Sequence, residues 1–294
     1  MNKKNTIHLI SVLTLIFFTF INCSKDGNSN PNTNAFLADS NNQNRVALLE
    51  DFTGVRCQYC PDGHVIAKDI LDANPGKFLI IAVHGGTYGS PATGWPDFTT
   101  PYVTALTNQA KLTGYPAGTV SRIPASAMGV DPQTPNGYAL DRDKWEAAAN
   151  FVMAQKAPVN IGAKALYNAN SRILTVKVDL YYTADQPGTH DINVALLQDK
   201  LYGLQITTTG TDSNYQQNHV LRDLITGQWG DNISDAGMTK GTKVSRTYTY
   251  TVPTYYNGST SNGGGAVVIY NMQVVVFITN GHLNVLNAKS VVIQ

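Results

Sequence analysis

Residues 46–61 read Val46-Ala47-Leu48-Leu49-Glu50-Asp51-Phe52-Thr53-Gly54-Val55-Arg56-Cys57-Gln58-Tyr59-Cys60-Pro61 and contain the strongest indication of the fold class. The first seven residues of this stretch are mostly apolar, which is typical of a buried strand. Two cysteines follow, directly before a helix-like segment. Unpaired N–H groups and the dipole at a helix start favour a thiolate, so Cys57 is the predicted nucleophile. Cys60, one turn later, is placed to resolve a mixed disulfide.

Strand and helix signals alternate over residues 45–157. The strand–helix–strand order predicts a parallel pair of strands joined by a crossover helix. Both strands are apolar throughout, which favours a central sheet covered on its two faces. The predicted elements are strands at Val46–Phe52, Phe78–Val83 and Thr119–Arg122, and helices at Pro61–Ala73, 101–112 and Lys144–Gln155.

This arrangement resembles the thioredoxin fold. In that family an acidic residue six positions before the first cysteine is buried behind the pair and helps to deprotonate the second thiol, and Asp51 matches it. Pro116 matches the cis proline that faces the disulfide. The backbone beside that proline pairs with extended substrates, which makes Tyr115 a substrate-contact candidate. From the residues alone, a solvent-exposed Asp51 and an ordinary turn at 114–118 remain alternatives, and the adjacent Glu50 leaves open which of the two carboxylates points inward.

The motif also departs from thioredoxins proper, which have Trp before the first cysteine and Gly-Pro between the two. Here Arg56 precedes the pair and Gln58-Tyr59 intervene. Arg56 either favours the thiolate through its charge or is a solvated loop residue. Because the intervening residues tune the reduction potential in this fold, the sequence leaves reduction, oxidation and isomerisation all open.

The N-terminus has the pattern of an export signal. Two lysines precede a fifteen-residue apolar run, Ile7–Ile21, which is shorter than the roughly 20 residues of a spanning helix. The run ends at Cys23, which predicts a lipoprotein signal peptide over residues 1–23 with Cys23 lipidated; the alternative is a cysteine incidental to an ordinary signal peptide. Residues 24–44 are rich in Asn, Ser and Gly and are predicted to form a flexible tether.

Metal binding is the main competing use of the two cysteines. His64, one turn after Cys60, and His84, at the end of the second strand, would have to complete a tetrahedral site. The chain has no second Cys-x-x-Cys, and an export compartment oxidises thiols, so no metal site and no cofactor are predicted. His84 is expected either to close its strand or to lie near the substrate.

The pattern changes after residue 157. Apolar residues alternate with polar ones in several runs, such as Leu174–Leu180 and Val244–Val252, which is typical of half-buried antiparallel strands. Six or seven such strands favour a β-sandwich of immunoglobulin-like type. The predicted fold is therefore an α/β thioredoxin-like domain (45–157) followed by an all-β immunoglobulin-like sandwich domain (158–294).

One segment, Tyr215-Gln216-Gln217-Asn218-His219-Val220-Leu221-Arg222-Asp223, breaks the alternation and is predicted to lie between strands. Together with the lipoprotein start, Cys-Gln-Tyr-Cys-Pro and Tyr-Pro-Ala-Gly, it makes the chain similar to the Omp-twenty-eight-related outer-membrane lipoprotein family of Bacteroidota. The resemblance implies an outer-membrane lipoprotein, periplasmic or surface-exposed. His219 and Arg222 either contact the redox face or hold a loop on the sandwich.

Two functions follow from these features. In the first, a membrane-tethered thiol–disulfide oxidoreductase uses Cys57, Cys60, Asp51 and Pro116 as catalytic residues on thiols or disulfides of exported proteins. In the second, an outer-membrane binding or adhesion lipoprotein takes a surface ligand, and the disulfide is structural. A net charge of +1 gives no reason to expect nucleic acid as a partner, and the oligomeric state is not determined by the sequence.

Overall fold

The strand predicted at residues 46–52 is present in the computed structural model, which describes residues 36–257 and 265–294. It forms β1 (Ala47–Thr53), and all of its residues are buried. Helix α1 (Cys60–Ala73) follows, and β2 (Phe78–His84) then returns parallel to β1 with Ala47 opposite Phe78. The predicted parallel pair with a crossover helix is confirmed.

Two short 3-10 helices, Ala125–Met128 and Arg142–Lys144, and four further elements complete the N-terminal half, residues 45–157. The four are α2 (Gly86–Gly89), α3 (Val103–Ala110), β3 (Ala117–Val120) and α4 (Trp145–Met153). Strand β3 pairs antiparallel with β1. It begins and ends two residues earlier than predicted, because Ser121 and Arg122 have positive φ angles of 51° and 48° and cannot continue an extended strand.

The side chains of β1 divide between two apolar layers. Leu48 and Phe52 lie in the cluster under α3, whereas Leu49 lies in the cluster under α1 and α4. Successive side chains on a strand point to opposite faces of its sheet. Glu50 therefore lies on the α3 face and Asp51 on the α1 face, and both are buried.

The C-terminal half, residues 158–294, is built from strands. They are β4 (Val159–Asn168), β5 (Ile173–Tyr182), β6 (His190–Gln198), β7 (Leu201–Thr207), β8 (Gly210–Gln217), β9 (Val220–Leu224), β10 (Asp231–Ser234), β11 (Lys243–Thr251), β12 (Met272–Asn280) and β13 (Leu283–Val292). A three-stranded sheet in the order β11-β5-β4 packs through apolar side chains against β6 and β12. These two layers account for the alternation seen in the sequence.

The largest sheet contains strands from both halves of the chain. Its order is β13-β12-β6-β9-β2-β1-β3, with β10 also paired to β6. Strand β9 joins the halves: Val220 lies opposite Ala82 of β2, and the Ala82 N–H donates to the His219 carbonyl at 2.8 Å. The fold is thus a mixed α/β arrangement with a mixed sheet. The division at residue 157 stays a prediction, and the sequence pattern did not indicate this continuity.

The prediction that residues 215–223 lie between strands is wrong. Tyr215–Gln217 end β8, and Val220–Asp223 belong to β9. Four of the five β9 residues are buried and β8 is mostly polar and exposed, so neither strand shows the alternation that identifies a half-buried strand.

Residues 36–44 also differ from the expected tether. They lie against β4 and β5: the Ala38 N–H donates to Asp179 Oδ2 at 2.9 Å, and the Asn160 side chain donates to the carbonyls of Asp39 and Asn41 at 2.6 Å. The low apolar content of this segment predicted a flexible chain, but hydrogen bonds to side chains of β4 and β5 hold the segment in place. The signal peptide, Cys23 and the first part of the tether lie outside the described residues.

Candidate functional site

Cys57 and Cys60 form a disulfide at the turn between β1 and α1, with a Cα–Cα distance of 5.4 Å. Cys60 is the first residue of α1, and Cys57 lies in the preceding loop, where its N–H donates to the Gly54 carbonyl at 3.0 Å. The predicted strand-to-helix placement of the pair is therefore confirmed. Both cysteines are nevertheless almost inaccessible, with 2% and 0% of their surface exposed.

A hairpin from the C-terminal half covers the cysteine loop. It consists of β7 and β8, and its contacts are made by Gln205, which is fully buried. The Gln205 side chain donates to the carbonyls of Gly54 at 3.2 Å and Cys57 at 3.0 Å. The Ile206 N–H donates to the Val55 carbonyl at 2.8 Å. The sequence pattern gave no signal for this cover, because its contacts join residues about 150 positions apart.

Asp51 lies beneath the first turns of α1 and is 1% exposed. Its Oδ2 is 3.8 Å from Nε2 of His64, and its Oδ1 has no hydrogen-bond partner in the described part of the chain. Burial raises the pKa of Asp51 to about 8, because a carboxylate loses its hydration there. The carboxyl is therefore largely protonated at neutral pH, and the alternative of a solvent-exposed Asp51 is excluded.

His64 connects Asp51 to the hairpin. One ring nitrogen, Nε2, is 2.8 Å from the Thr53 hydroxyl, and the other, Nδ1, is 2.8 Å from the Tyr215 hydroxyl on β8. Burial, together with the nearby His219, lowers the pKa of His64 to about 4, so the ring is neutral at pH 7. A neutral ring supplies no positive charge that would stabilise the ionised form of Asp51. His64 was weighed in the sequence only as a metal ligand, and its spacing from Cys60 was the available signal.

A cavity of about 250 Å³ adjoins these side chains. Asp51, His64, Tyr215 and His219 line it together with apolar residues of α1 and β2, and the exposed Lys68 stands at its outer end. A cavity of this size has room for several waters at roughly 30 Å³ each. It gives the Asp51 carboxyl a route to solvent that does not pass the sulfurs. The two alternatives for His219 were a contact with the redox face and a role in holding a loop on the sandwich. In the structure His219 lines this cavity.

Pro116 and Tyr115 directly precede β3. Their peptide bond is cis, as the resemblance to thioredoxins implied. A side chain at Gly63, one turn after Cys60, would meet Pro116 Cβ at 3.1 Å, so the proline packs directly against α1. The Tyr115 ring packs edge-on to Tyr88, with ring centroids 5.4 Å apart. The assigned roles of Pro116 and Tyr115 in binding and catalysis stay predictions.

Glu50 is paired on the opposite face of β1. The Arg122 guanidinium donates from Nη2 to Oε1 at 2.6 Å and from Nε to Oε2 at 2.9 Å, and the Thr119 hydroxyl donates to Oε2 at 2.8 Å. Burial alone would raise the pKa of Glu50, but the charge and hydrogen bonds of Arg122 outweigh it, so the pKa lies below its usual value. Glu50 therefore does not compete with Asp51 for the place behind the cysteines.

The remaining candidates lie near the hairpin base. His84 is buried edge-on to Phe98 at 5.2 Å, and burial lowers its pKa to about 3. Arg222 lies over the Tyr256 ring at 4.5 Å and near Phe98, which fits the alternative of a residue holding structural elements together. Within residues 36–257 and 265–294, no cluster of three or more His, Cys, Asp or Glu side chains could hold a metal ion. Arg56 is exposed.

These features define a mixed α/β protein with a buried disulfide at a strand-to-helix turn and a buried carboxyl beneath the helix that follows it. The sequence model of the family described as Outer membrane protein Omp28 matches residues 103–294, and the chain belongs to that family. Membership associates the chain with the outer membrane. In the described part of the chain, no helix combines the length and apolar character needed to cross a bilayer. The cysteine site precedes the matched residues.

Solved structures provide a second comparison. HBP35 of Porphyromonas gingivalis has a TM-score of 0.64 at 16% identity, over 85% of this chain and 76% of that one, which shows a shared fold. A protein of Agrobacterium tumefaciens (TM-score 0.46, 11% identity, 84% and 95% covered) and a beta-glucosidase of Listeria innocua (0.23, 13%, 46% and 16%) support no inference at these scores. No curated protein matches the chain.

Proposed function

We propose that this protein is a membrane-tethered thiol–disulfide oxidoreductase that acts on the cysteines of exported proteins through Cys57 and Cys60. In this proposal residues 45–157 are a thioredoxin-like domain, and residues 158–294 are an immunoglobulin-like sandwich that presents or selects the partner. The chain is a lipoprotein whose signal peptide is cut before Cys23 and which is anchored by the acylated Cys23. It faces either the periplasm or the cell surface.

The observation that carries this proposal is the state of Asp51. The only basic group near this buried carboxyl in the described residues is the neutral His64 ring at 3.8 Å, and its Oδ1 has no hydrogen-bond partner there, so it costs free energy that a purely structural role does not repay. Such groups occur where a proton must be held and released near neutral pH, and the pKa of Asp51, about 8, lies in that range. His64 follows Cys60 by one turn of α1 and is 3.8 Å from Asp51, which places the carboxyl beneath the motif.

The reaction starts from the oxidised Cys57–Cys60 pair. A thiolate of the exported protein attacks Cys57 Sγ, the Cys57–Cys60 bond breaks, and Cys60 leaves as a thiolate that takes the proton of Asp51. A second thiolate of the substrate then attacks the substrate sulfur of the mixed disulfide and releases Cys57 as a thiolate. The substrate gains a disulfide, and the pair gains two electrons. Transfer in reverse reduces a substrate disulfide, with Asp51 accepting the proton from Cys60.

Burial of both sulfurs favours a second candidate. In an adhesion or binding lipoprotein the disulfide would be structural, and a surface of the sandwich would bind the ligand. Exposed aromatic side chains in the C-terminal half, such as Tyr255 and Tyr270, are available for such contacts. A disulfide that closes so short a loop adds little stability through chain entropy, which is why this candidate ranks second.

Replacing Cys60 with Ser distinguishes the two candidates. In Cys60→Ser the Cys57 thiolate can still attack a disulfide of an exported protein, but the chain has no second thiol to resolve the mixed disulfide, so this adduct should accumulate in the native envelope and disappear on reduction with dithiothreitol. Adducts are detected by non-reducing electrophoresis and mass spectrometry. The matched control is the double variant Cys57→Ser with Cys60→Ser. Equal adduct levels in the single and double variants would reject the oxidoreductase.

A further inference from the structure

The β7–β8 hairpin (residues 201–217) forms a two-stranded sheet of its own, separate from the other two sheets. Hairpins of this size are at best marginally stable in water by themselves, so contacts with the rest of the chain must hold it in place. Six of the eight residues of β8 are exposed. The contacts that hold the hairpin are therefore few, and they can be named individually.

On β7, the contacts are made to the cysteine loop itself. The bond from the Ile206 N–H to the Val55 carbonyl is a main-chain bond of the kind an added strand makes, and it lies two residues before Cys57. The Gln205 amide is bonded on both sides: it donates to the loop carbonyls of Gly54 and Cys57, and its Oε1 accepts from Gln217 at 2.7 Å. An extended segment therefore already occupies the polar edge of the loop.

On β8, a single hydroxyl makes the second attachment. Tyr215 is 2.8 Å from His64 Nδ1, and the same tyrosine lines the cavity beside Asp51. The base of the hairpin is held by Leu201, which packs with Val55 and Phe98. Gly203 lies so close to Pro96 that an added Cβ would be 2.5 Å from the proline ring. One hairpin thus lies against the cysteine loop and also lines the cavity beside Asp51.

We propose that the hairpin is an internal occupant of the edge that binds an extended polypeptide substrate, and that it must lift before Cys57–Cys60 reacts. This inference rests on the proposed function. The substrate class it names is an extended, cysteine-bearing segment whose main-chain N–H replaces that of Ile206 at the Val55 carbonyl. Displacement couples substrate binding to exposure of the sulfurs, so the disulfide stays protected from small thiols until a partner binds.

The test is the rate at which dithiothreitol reduces the disulfide of the full chain. One thiolate of the reagent attacks a sulfur and frees the other cysteine; its second thiol then closes the cyclic reagent disulfide, so the pair gains two electrons and two protons. If reduction requires opening, the rate scales with the population of the open hairpin. Tyr215→Phe removes one hydrogen bond and should speed reduction by roughly three- to tenfold. Gln205→Ala removes more bonds and should speed it further.

Tyr202→Phe is the matched control, because the Tyr202 hydroxyl bonds only within the hairpin, to Gln216 Oε1 at 2.6 Å. It should leave the rate unchanged. In Tyr215→Phe the hydrogen exchange of the Ile206 amide and the reduction of the disulfide should both become faster. Faster exchange indicates that the hairpin opens more often, which a changed environment of Asp51 alone would not produce. Because Gln205→Ala can unfold the hairpin altogether, Tyr215→Phe is the deciding variant.

Unchanged reduction and unchanged Ile206 exchange in Tyr215→Phe would overturn the proposal that the hairpin acts as a gate over the disulfide. The small reductant makes this result independent of any envelope partner. Faster reduction in Tyr215→Phe with no adduct trapped by Cys60→Ser would support the gate and reject the oxidoreductase. Trapped adducts with an unchanged reduction rate would reject the gate alone.

Discussion

Asp51→Asn should make the folded chain more stable than the wild type, by an amount that grows between pH 4 and pH 8. The reason is the unpaired carboxyl beneath α1: ionising it in the fold costs free energy that ionising it in the unfolded chain does not. Asparagine has nearly the same shape and no charge to bury. Urea unfolding of both proteins, with the disulfide kept oxidised, measures the difference at each pH.

The direction of this pH dependence of stability follows from proton binding. The pKa of Asp51 is about 8 in the fold, whereas that of an unfolded aspartate is about 3.9, so between these values the folded chain holds a proton that the unfolded chain has lost. Stability must then fall as pH rises, by at most about 1.4 kcal/mol per pH unit. The variant has no such decline. Its advantage should be absent below pH 4 and constant above pH 8.

Two histidines, the half-buried His64 and the buried His84, act in the opposite direction. Burial lowers the pKa of His64 to about 4 and that of His84 to about 3, so the unfolded chain binds their protons first and stability rises with pH up to about 6.5. Of these three groups, Asp51 alone titrates above that value. The wild type should therefore lose stability between pH 6.5 and 8.

Asp69→Asn on the exposed side of α1 is the matched control for this measurement. It makes the same chemical change without burial and should follow the wild-type curve. A decline above pH 6.5 that persists unchanged in Asp51→Asn would show that Asp51 ionises freely in the fold.

Arg122→Met should lower the free energy of unfolding by about 3–5 kcal/mol at pH 7, because it leaves the Glu50 carboxylate buried without a counter-charge. The pair is bidentate, and its side chains are only 2% and 5% exposed. Arg122 also donates to the His282 carbonyl at 3.1 Å, so the substitution removes a link between the two halves of the chain. Urea unfolding measures the loss.

Two variants control this second prediction. Glu50→Gln combined with Arg122→Met removes both charges and should recover much of the lost stability. Arg142→Met breaks the exposed pair with Asp62, 2.5 Å long, and should cost less than about 1 kcal/mol. A loss in Arg122→Met no greater than in Arg142→Met would contradict the account of the buried pair.

The local elements of the N-terminal half could be predicted because their signals lie within short stretches of sequence. Continuous apolar runs gave β1 and β2, and Asn74 ends α1 where predicted, with its side chain donating to the Ile70 carbonyl at 2.9 Å. The presence of both Glu50 and Asp51 left open which carboxyl was directed toward the cysteines. Strand alternation and the Arg122 pair decide this in favour of Asp51.

The rest could not be predicted because it depends on pairing between distant residues. Only the fold brings Gln205 to Cys57 and Tyr215 to His64, and no periodic pattern encodes such contacts. Strand β9 escaped notice for the same reason, since its place between β6 and β2 buries it on both sides. The segment that broke the alternation in the sequence was the one that joins the two halves.

The most direct test of the central claim is the equilibrium reduction potential of Cys57–Cys60. The full chain is equilibrated at pH 7 with glutathione redox buffers, and with dithiothreitol buffers for more negative potentials, and the reduced fraction is measured by thiol labelling. If the pair exchanges with exported proteins, its potential should lie between about −270 and −120 mV, as in thiol–disulfide oxidoreductases. A value below about −300 mV, where structural disulfides of secreted proteins lie, would contradict the proposed function.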